Sequence, residues 1–278
     1  MNLIENMTMD EERALYGSSD ITVNHCRFDG PADGESALKE SSCVTVKDSF
    51  FNLRYPFWHV HGLTVESCEM TGKCRAAIWY SDNVRITDSR LHGIKALREC
   101  RDVTIGSSDI ISPEFGWSVT GLALNNVSAE SEYFLMRSSG ITADNISLTG
   151  KYSFQYVEDC TIKESRLNTK DAFWHAKNVT VTDSVINGEY LGWYSENLTL
   201  INCTIKGTQP LCYCKDLKLI NCRMEDCDLA FERSVVEATI TSPVISIKNP
   251  LSGHITVPSV DEIIRDIPEA CGEIKISG

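Results

Sequence analysis

Apolar and polar residues alternate along this chain in short bursts that recur at one spacing. The segment NVTVTDSVINGEYLGWYSE (178–196) runs directly into NLTLINCTIKGTQPLCYCK (197–215), and the two agree in character at nearly every position. With the first apolar residue of the repeating triplet as an anchor, anchors fall at Val84, Val103, Leu122, Ile141, Cys160, Val179, Leu198, Leu217 and Val236, each 19 residues apart. Ile21, Val44 and Leu63 precede them, with longer steps of 23 (Ile21 to Val44) and 21 (Leu63 to Val84), making 12 consecutive units. An internal repeat of this regularity decides the architecture before any single residue does.

The columns of the repeat predict its local structure. Anchor and anchor+2 are apolar while the residue between is mostly Thr, the period of a strand with one buried face. Just before the anchor stand Gly62, Asn83, Asp102, Gly121, Gly140, Asp159, Asn178, Asn197 and Asp216. These types tolerate a left-handed backbone and predict a tight turn. Five past the anchor, small residues such as Cys26, Ser49, Cys68, Ser89, Cys203 and Cys222 recur, and apolar columns follow at seven and 13 past it. Three short strands and three turns per 19 residues, without helical periodicity, describe a rung of a parallel β-helix. The expectation is an all-β solenoid of about 12 rungs in one domain spanning 1–278, with caps at 1–20 and 255–278 around rungs at 21–254. Both caps are expected to contain short helices, since bare sheet edges invite self-association. TMDEERALYG (8–17) reads as amphipathic with Gly17 as its C-cap, and SVDEIIRDIP (259–268) opens on the capping-box pair Ser259 and Glu262 and stops at Pro268. Strands are expected at 255–257 and 273–276.

Charge and composition then narrow the function. A net charge of −13 over 278 residues argues against nucleic acid or an anionic membrane as partner. The acidic start lacks a signal-peptide pattern and no apolar run is long enough to span a bilayer, so a cytoplasmic protein is expected. The 12 cysteines form no CxxC pair and are expected to stay reduced, as small residues of the interior ladder. Cys212, Cys214, Cys222 and Cys227 match no familiar zinc spacing, and neither a metal nor a cofactor is expected. Asn-x-Thr/Ser matches at Asn126, Asn145, Asn178, Asn197 and Asn202 read as turn chemistry of the repeat.

Candidate chemistry lies where the repeat is decorated. Both insertions, within DGPADGE (29–35) and TGKCR (71–75), fall in one loop, which in a solenoid marks a binding face. They frame Glu35, Arg54 and Arg75 on consecutive rungs, with Lys95 and Glu114 one position along on the next two. Stacked arginines repel unless a carboxylate or an anionic ligand lies between them, so this column is a structural ladder or an anion site. Fourteen past the anchor run Lys39, Trp58, Trp79, Arg98 and Trp117, then Trp174 and Trp193; beside them run Glu40, His59, Tyr80 and Glu99. The rings are either a platform for sugar or a stack on one another. Trp58, Trp79 and Trp117 lean toward binding, Trp174 and Trp193 toward structure. His59 titrates near neutrality without help, and Glu35, Asp29, Asp33, Glu40 and Glu99 are the nearby carboxyls for proton transfer.

The period, with EERALYG (11–17), FDGPADGESALKE (28–40), RYPFWH (54–59), AAIWYSDN (76–83), GIKALRE (93–99) and SPEFGW (112–117), resembles a family of uncharacterised bacterial proteins. The resemblance covers essentially the whole chain. It implies a single-stranded right-handed parallel β-helix related to the pectate-lyase-like superfamily, whose members include polysaccharide lyases, polygalacturonase-like hydrolases and epimerases. The chain departs from those enzymes: it has no Asp-Asp pair, no Arg-x-Lys and no Asn-Thr-Asp.

Two expectations follow. In the first, the N-terminal half binds or processes an acidic saccharide or sugar phosphate. Arg54, Arg75, Lys95 and Arg98 would meet the anion, Trp58, Trp79, Tyr80 and Trp117 would stack, and His59, Glu35 or Glu99 would move protons. An enzyme of this kind would resemble a glycoside hydrolase or polysaccharide lyase. In the second, the same face docks a protein partner without catalysis. Self-association into a homo-oligomer is left open by either.

Overall fold

The computed structural model describes residues 2–277, and every helix-or-strand element among them is a β-strand. The chain divides near residue 141 into two compact units. Each is built as turns of a parallel β-solenoid, about 14 turns in the two together. In the first unit the anchors pair in register: Ile21 with Val44, Val44 with Leu63, Leu63 with Val84, Val84 with Val103, and Val103 with Leu122. In the second, Cys160 pairs with Val179, Val179 with Leu198, and Leu217 with Val236. Neither insertion disturbs the register, because each is absorbed in a loop.

The chain turns its corners through left-handed backbone. The residue before the anchor has φ between +52° and +77° from Asp20 to Gly140 in the first unit and from Asp159 to Asp216 in the second. That is the turn predicted from Gly, Asn and Asp. A further corner was not predicted. Glu40, His59, Tyr80, Glu99, Ser118 and Arg137 in the first unit, and Tyr156, His175, Tyr194 and Tyr213 in the second, all have φ between +50° and +61°. Each non-glycine residue held there costs on the order of 1–3 kcal/mol, so the surroundings must over-determine it. They do: the Glu40 amide donates to the Trp58 carbonyl at 2.9 Å, His59 to Trp79 at 3.0 Å and Glu99 to Trp117 at 2.9 Å, and the interior residues on either side are locked in the core.

The interior is a set of like-on-like ladders. Val23, Val46, Val65, Ile86 and Ile105 are wholly buried, and aromatic steps add Phe28 on Phe51 at 4.5 Å and Phe154 on Phe173 at 5.0 Å. The column of small residues does more than fill space. The Cys26 amide donates to Ser49 Oγ (3.0 Å), the Ser49 amide to Cys68 Sγ (3.4 Å), the Cys68 amide to Ser89 Oγ (3.1 Å) and the Ser89 amide to Ser108 Oγ (3.2 Å). Hydroxyl and thiol therefore interchange as acceptors for the turn above. Ten of the 12 cysteines are buried, leaving Cys43 and Cys271 exposed. Burial pushes the Cys68 thiol up to about 11 and the Cys74 thiol up to about 12.

Both expected helical caps are strands and turns instead. Thr8–Met9 pairs with Arg27–Phe28, and within 11–17 the amides of Arg13, Leu15 and Gly17 donate to the carbonyls of Glu35, Ala37 and Lys39 at 2.8–3.0 Å. A helix would have spent those amides on its own carbonyls. At 259–268 the strand Val260–Ile264 pairs with Val244–Lys248, and the Ser259 carbonyl accepts from Val244, so the capping-box pattern was coincidental. The strands at 255–257 and 273–276 form as expected and pair through Ile255 and Ile274. The repeat also begins a turn earlier than the 12 units read from sequence, since Asn2 pairs with Ile21. Asn2, Leu3 and Glu5 are exposed there, so the apolar pattern that marks the other turns has faded.

Three substitutions test this account. Ser118→Gly, at an exposed left-handed corner, should be neutral or stabilising by as much as about 1 kcal/mol, whereas Thr104→Gly in a neighbouring extended strand should cost about 1 kcal/mol. Ser81 is 2 % exposed; its Oγ accepts from the Val60 amide at 3.0 Å and donates to the Phe57 carbonyl at 3.1 Å. Ser81→Ala should cost about 1–3 kcal/mol in urea denaturation, with the slope unchanged.

Candidate functional site: the decorated face

The two insertions are tied to the scaffold and to each other by polar contacts. The Ala32 amide donates to Asp10 Oδ2 and the Gly34 amide to the Asp10 carbonyl, both at 2.9 Å. A Cβ at position 34 would lie 2.3 Å from the Glu11 carbonyl carbon, so only glycine lets the first loop lie this close. From that loop a chain of hydrogen bonds runs to the second. Asn52 Nδ2 donates to Asp29 Oδ1 at 2.8 Å, Thr71 Oγ1 donates to Asn52 Oδ1 at 2.5 Å, and the Lys73 amide donates to Thr71 Oγ1 at 3.2 Å. Asp29 also receives Arg27 at 2.6 Å. The Asn52 amide and the Arg27 guanidinium hold its carboxyl below the ordinary value, which makes it an ionised anchor rather than a proton donor.

The charged column comes together much as its order in the sequence implied. Arg54 lies 3.4 Å from both Asp33 and Glu35, so Glu35 is engaged as the partner of an arginine. Lys95 lies 3.3 Å from Glu114. Arg75 differs: it is exposed and makes no ion pair among the described residues, and the same is true of Lys73 two positions before it. Its amide-level neighbour is Tyr55, whose N–H donates to the Arg75 carbonyl at 3.3 Å, so Arg54 and Arg75 sit on adjacent turns.

Beside this column the aromatic side chains form one stack. Lys39 lies over the Trp58 ring at 5.4 Å, Trp58 stacks on Trp79 at 5.1 Å and 4°, and Arg98 is 5.2 Å from the Trp79 ring and 4.9 Å from that of Trp117. Each indole N–H is spent on a carbonyl of the charged corner or its equivalent: Trp58 on Ala76 (2.6 Å), Trp79 on Lys95 (2.7 Å) and Trp117 on Tyr133 (2.8 Å). Stacking along the repeat covers both flat faces of Trp58 and of Trp79 and turns ring edges to the solvent. In the second unit Trp174 and Trp193 stack likewise at 5.4 Å, with their N–H groups on Tyr190 and Gln209.

The three residues expected to move protons are each already engaged. His59 Nδ1 is 3.0 Å from Glu40, and its ring meets Tyr80 edge-on at 5.2 Å; Glu99 is 3.7 Å from Arg98; Glu35 is held by Arg54. Tyr80 and Glu99 also border a shallow depression of about 380 Å³ that contains His61, Asp82 and Arg101. Sequence reasoning did not select those three. His61 Nδ1 lies 2.7 Å from Asp82 Oδ2, and Asn83 Nδ2 donates to Asp82 Oδ1 at 2.9 Å. Burial would raise the Asp82 carboxyl, but the His61 and Asn83 hydrogen bonds outweigh it and hold the group below its ordinary value. The available signal was the column two before the anchor, which places His61, Asp82 and Arg101 side by side on paired strands.

A family model described as Protein of unknown function (DUF3737) matches residues 2–276. The chain belongs to that family. The membership bears out the family resemblance read from the sequence, and the strand pairing bears out its β-helix. No curated protein matches the chain. Among solved structures, the chain is similar at 11% identity and TM-score 0.35 to the surface adhesin PfbA of Streptococcus pneumoniae, covering 99% of this chain and 80% of that one. It is similar at 11% identity and TM-score 0.24 to a DFA-IIIase from Arthrobacter chlorophenolicus A6 in complex with GF2, covering 96% and 77%. The Dettilon tailspike protein matches at 10% identity and TM-score 0.28, covering 99% and 62%. Likeness at that level carries nothing about chemistry in a DUF3737 chain, which has to be argued from its own residues.

The Asp29 anchor makes a pH prediction. A carboxyl whose folded value lies below its unfolded value contributes stability that is fully present above the unfolded value and is lost as pH falls through the folded one. The difference in stability between wild type and Asp29→Asn should therefore be largest near neutrality and shrink as pH is lowered from about 5 to about 2. Thermal unfolding at a series of pH values measures it; a constant difference would contradict the anchoring role.

Proposed function

We propose that this DUF3737 protein is a binding scaffold that holds an anionic saccharide, a uronic-acid oligosaccharide or a sugar phosphate, without cleaving it. One observation carries the reading: Arg75 is an exposed guanidinium with no carboxylate partner among the described residues, on a face where Arg54 and Lys95 are both paired. In a chain of net charge −13, two neighbouring cations without ion-pair partners among the described residues, Lys73 and Arg75, form a local positive patch that an anionic ligand would neutralise. Lys73 and Arg75 supply charge from the second insertion, and Arg54 stands one turn away. The edges of Trp58, Trp79 and Trp117 border this corner and offer apolar contact to a sugar lying along it. Binding rather than turnover is favoured because His59, Glu35 and Glu99 are each committed to an ionic partner.

The test is thermal unfolding with hexagalacturonate and with glucose 6-phosphate, run on the wild type, Arg75→Ala and Lys73→Ala. A ligand at about 100 times its Kd adds about 2.7 kcal/mol of stability. The wild type should show a rise in Tm that Arg75→Ala abolishes, that Lys73→Ala reduces, and that added salt weakens. Neither anion raising the Tm, or a rise that survives Arg75→Ala, would sink the reading. Protein docking through the same face would then take its place.

A further inference from the structure

In the second unit, one corner carries carboxylates short of hydrogen-bond donors. Asp171 is 4 % exposed and stands at a left-handed corner with φ +54°. Its carboxylate accepts no hydrogen bond among the described residues. The nearest cation, Lys170 Nζ, is 4.0 Å from Asp171 Oδ2 and closer, at 3.5 Å, to Glu189. Burial, with the Glu189 charge adding to it, raises the Asp171 carboxyl in spite of Lys170. Farther along the same corner, the half-buried Asp228 has its Oδ1 buried without a hydrogen-bond partner. Backbone links join the two. The Asp171 amide donates to the Glu189 carbonyl at 2.9 Å, Tyr190 to Thr208 at 3.0 Å, and Gln209 to Asp228 at 2.9 Å. Three turns therefore separate the carboxylates, about 14 Å at the usual strand spacing.

A buried carboxylate short of donors is costly, and it is relieved by any group that brings hydroxyl or N–H hydrogens. The neighbouring side-chain donors are already spent. The Gln155 side-chain amide is spent on the Asp171 carbonyl at 3.1 Å, and the indole N–H groups of Trp174 and Trp193 are spent on the carbonyls of Tyr190 and Gln209. Between the carboxylates lie Tyr190, whose ring packs on Trp193 at 5.4 Å, and the half-exposed side chain of Gln209. We propose that this corner, Asp171, Tyr190, Gln209 and Asp228, is a second site that binds a neutral oligosaccharide through hydroxyls donated to the two carboxylates.

The chemistry selects that ligand class. Asp171, Glu189 and Asp228 repel an anionic sugar, so this site and the Arg75 corner would take different saccharides. No group of three or more His, Cys, Asp or Glu side chains able to hold a metal ion occurs among the described residues, which disfavours a cation as the occupant. A neutral sugar chain supplies repeated hydroxyl donors for carboxylates set turns apart.

Isothermal titration of the full chain with cellohexaose and with chitohexaose tests the proposal, with calcium chloride as a further arm. At least one hexasaccharide should bind saturably. Asp171→Asn and Asp228→Asn should each weaken that binding by about tenfold or more, the loss expected for a hydrogen bond to a charged group. Arg75→Ala should leave it unchanged, which separates this site from the anionic one. Should Asp171→Asn fail to fold, Gln209→Ala, which removes a side chain without hydrogen bonds of its own, serves as the second variant and should also weaken binding. Neither hexasaccharide binding, binding that survives these substitutions, or calcium binding that they abolish would each overturn the proposal.

Discussion

The constraint on which everything else in this protein rests is the backbone hydrogen bond from one turn to the next. A solenoid turn has no partner of its own, and its amides and carbonyls are satisfied by the turns before and after it. That demand fixes the period, because Val84, Val103 and Leu122 must lie above one another for their neighbours to pair. It also explains backbone that would otherwise be out of place. Tyrosine, histidine, glutamate and arginine sit left-handed at one corner because the carbonyls they must reach lie one turn away, and bonds such as His59 to Trp79 hold them there.

The same demand shapes the side chains. Residues one turn apart are forced into contact, so each column becomes a pairwise problem solved once per step. Small interior residues solve it with serine and cysteine, which accept from the amide above and donate to a carbonyl. Large surface residues solve it by stacking, as Trp58 does on Trp79 and Arg98 does between Trp79 and Trp117. Ring faces are thereby consumed within the scaffold. Any ligand meets edges, hydroxyls and charges, so recognition on such a surface is set by which groups the ladder leaves unpaired. Arg75 in one unit and Asp171 in the other are such remainders, of opposite sign.

Functional residues consequently look unlike those of an enclosed active site. Pairs such as His61 with Asp82, or His92 with Asp109 at 2.7 Å, join neighbouring turns on open surface. Such exposed pairs contribute little stability individually. The signal that distinguishes a site from the scaffold is the exception within a column, a cation without its carboxylate or a carboxylate without its donor.

The sequence by itself determined the parallel β-helix, its 19-residue register, the turn before each anchor, the buried cysteines and the adjacency of Arg54 with Arg75 and of Trp58 with Trp79. Each of these is repeated many times, and repetition turns a weak local preference into a firm pattern. The ends escaped it. Residues 8–17 and 259–268 carry helix signals of the ordinary strength, but their amides and carbonyls are claimed by neighbouring turns, a tertiary demand that outweighs a local propensity. The opening strand escaped because its exposed positions need no apolar residue. Within the decorated face, spacing said which charges were neighbours but not which were neutralised. Only side-chain geometry shows that Glu35 turns to Arg54, that Arg75 has no carboxylate partner among the described residues, and that the buried Asp171 has only Lys170, at 4.0 Å, beside its carboxylate, because pairing is settled by ångström distances that no column of letters contains.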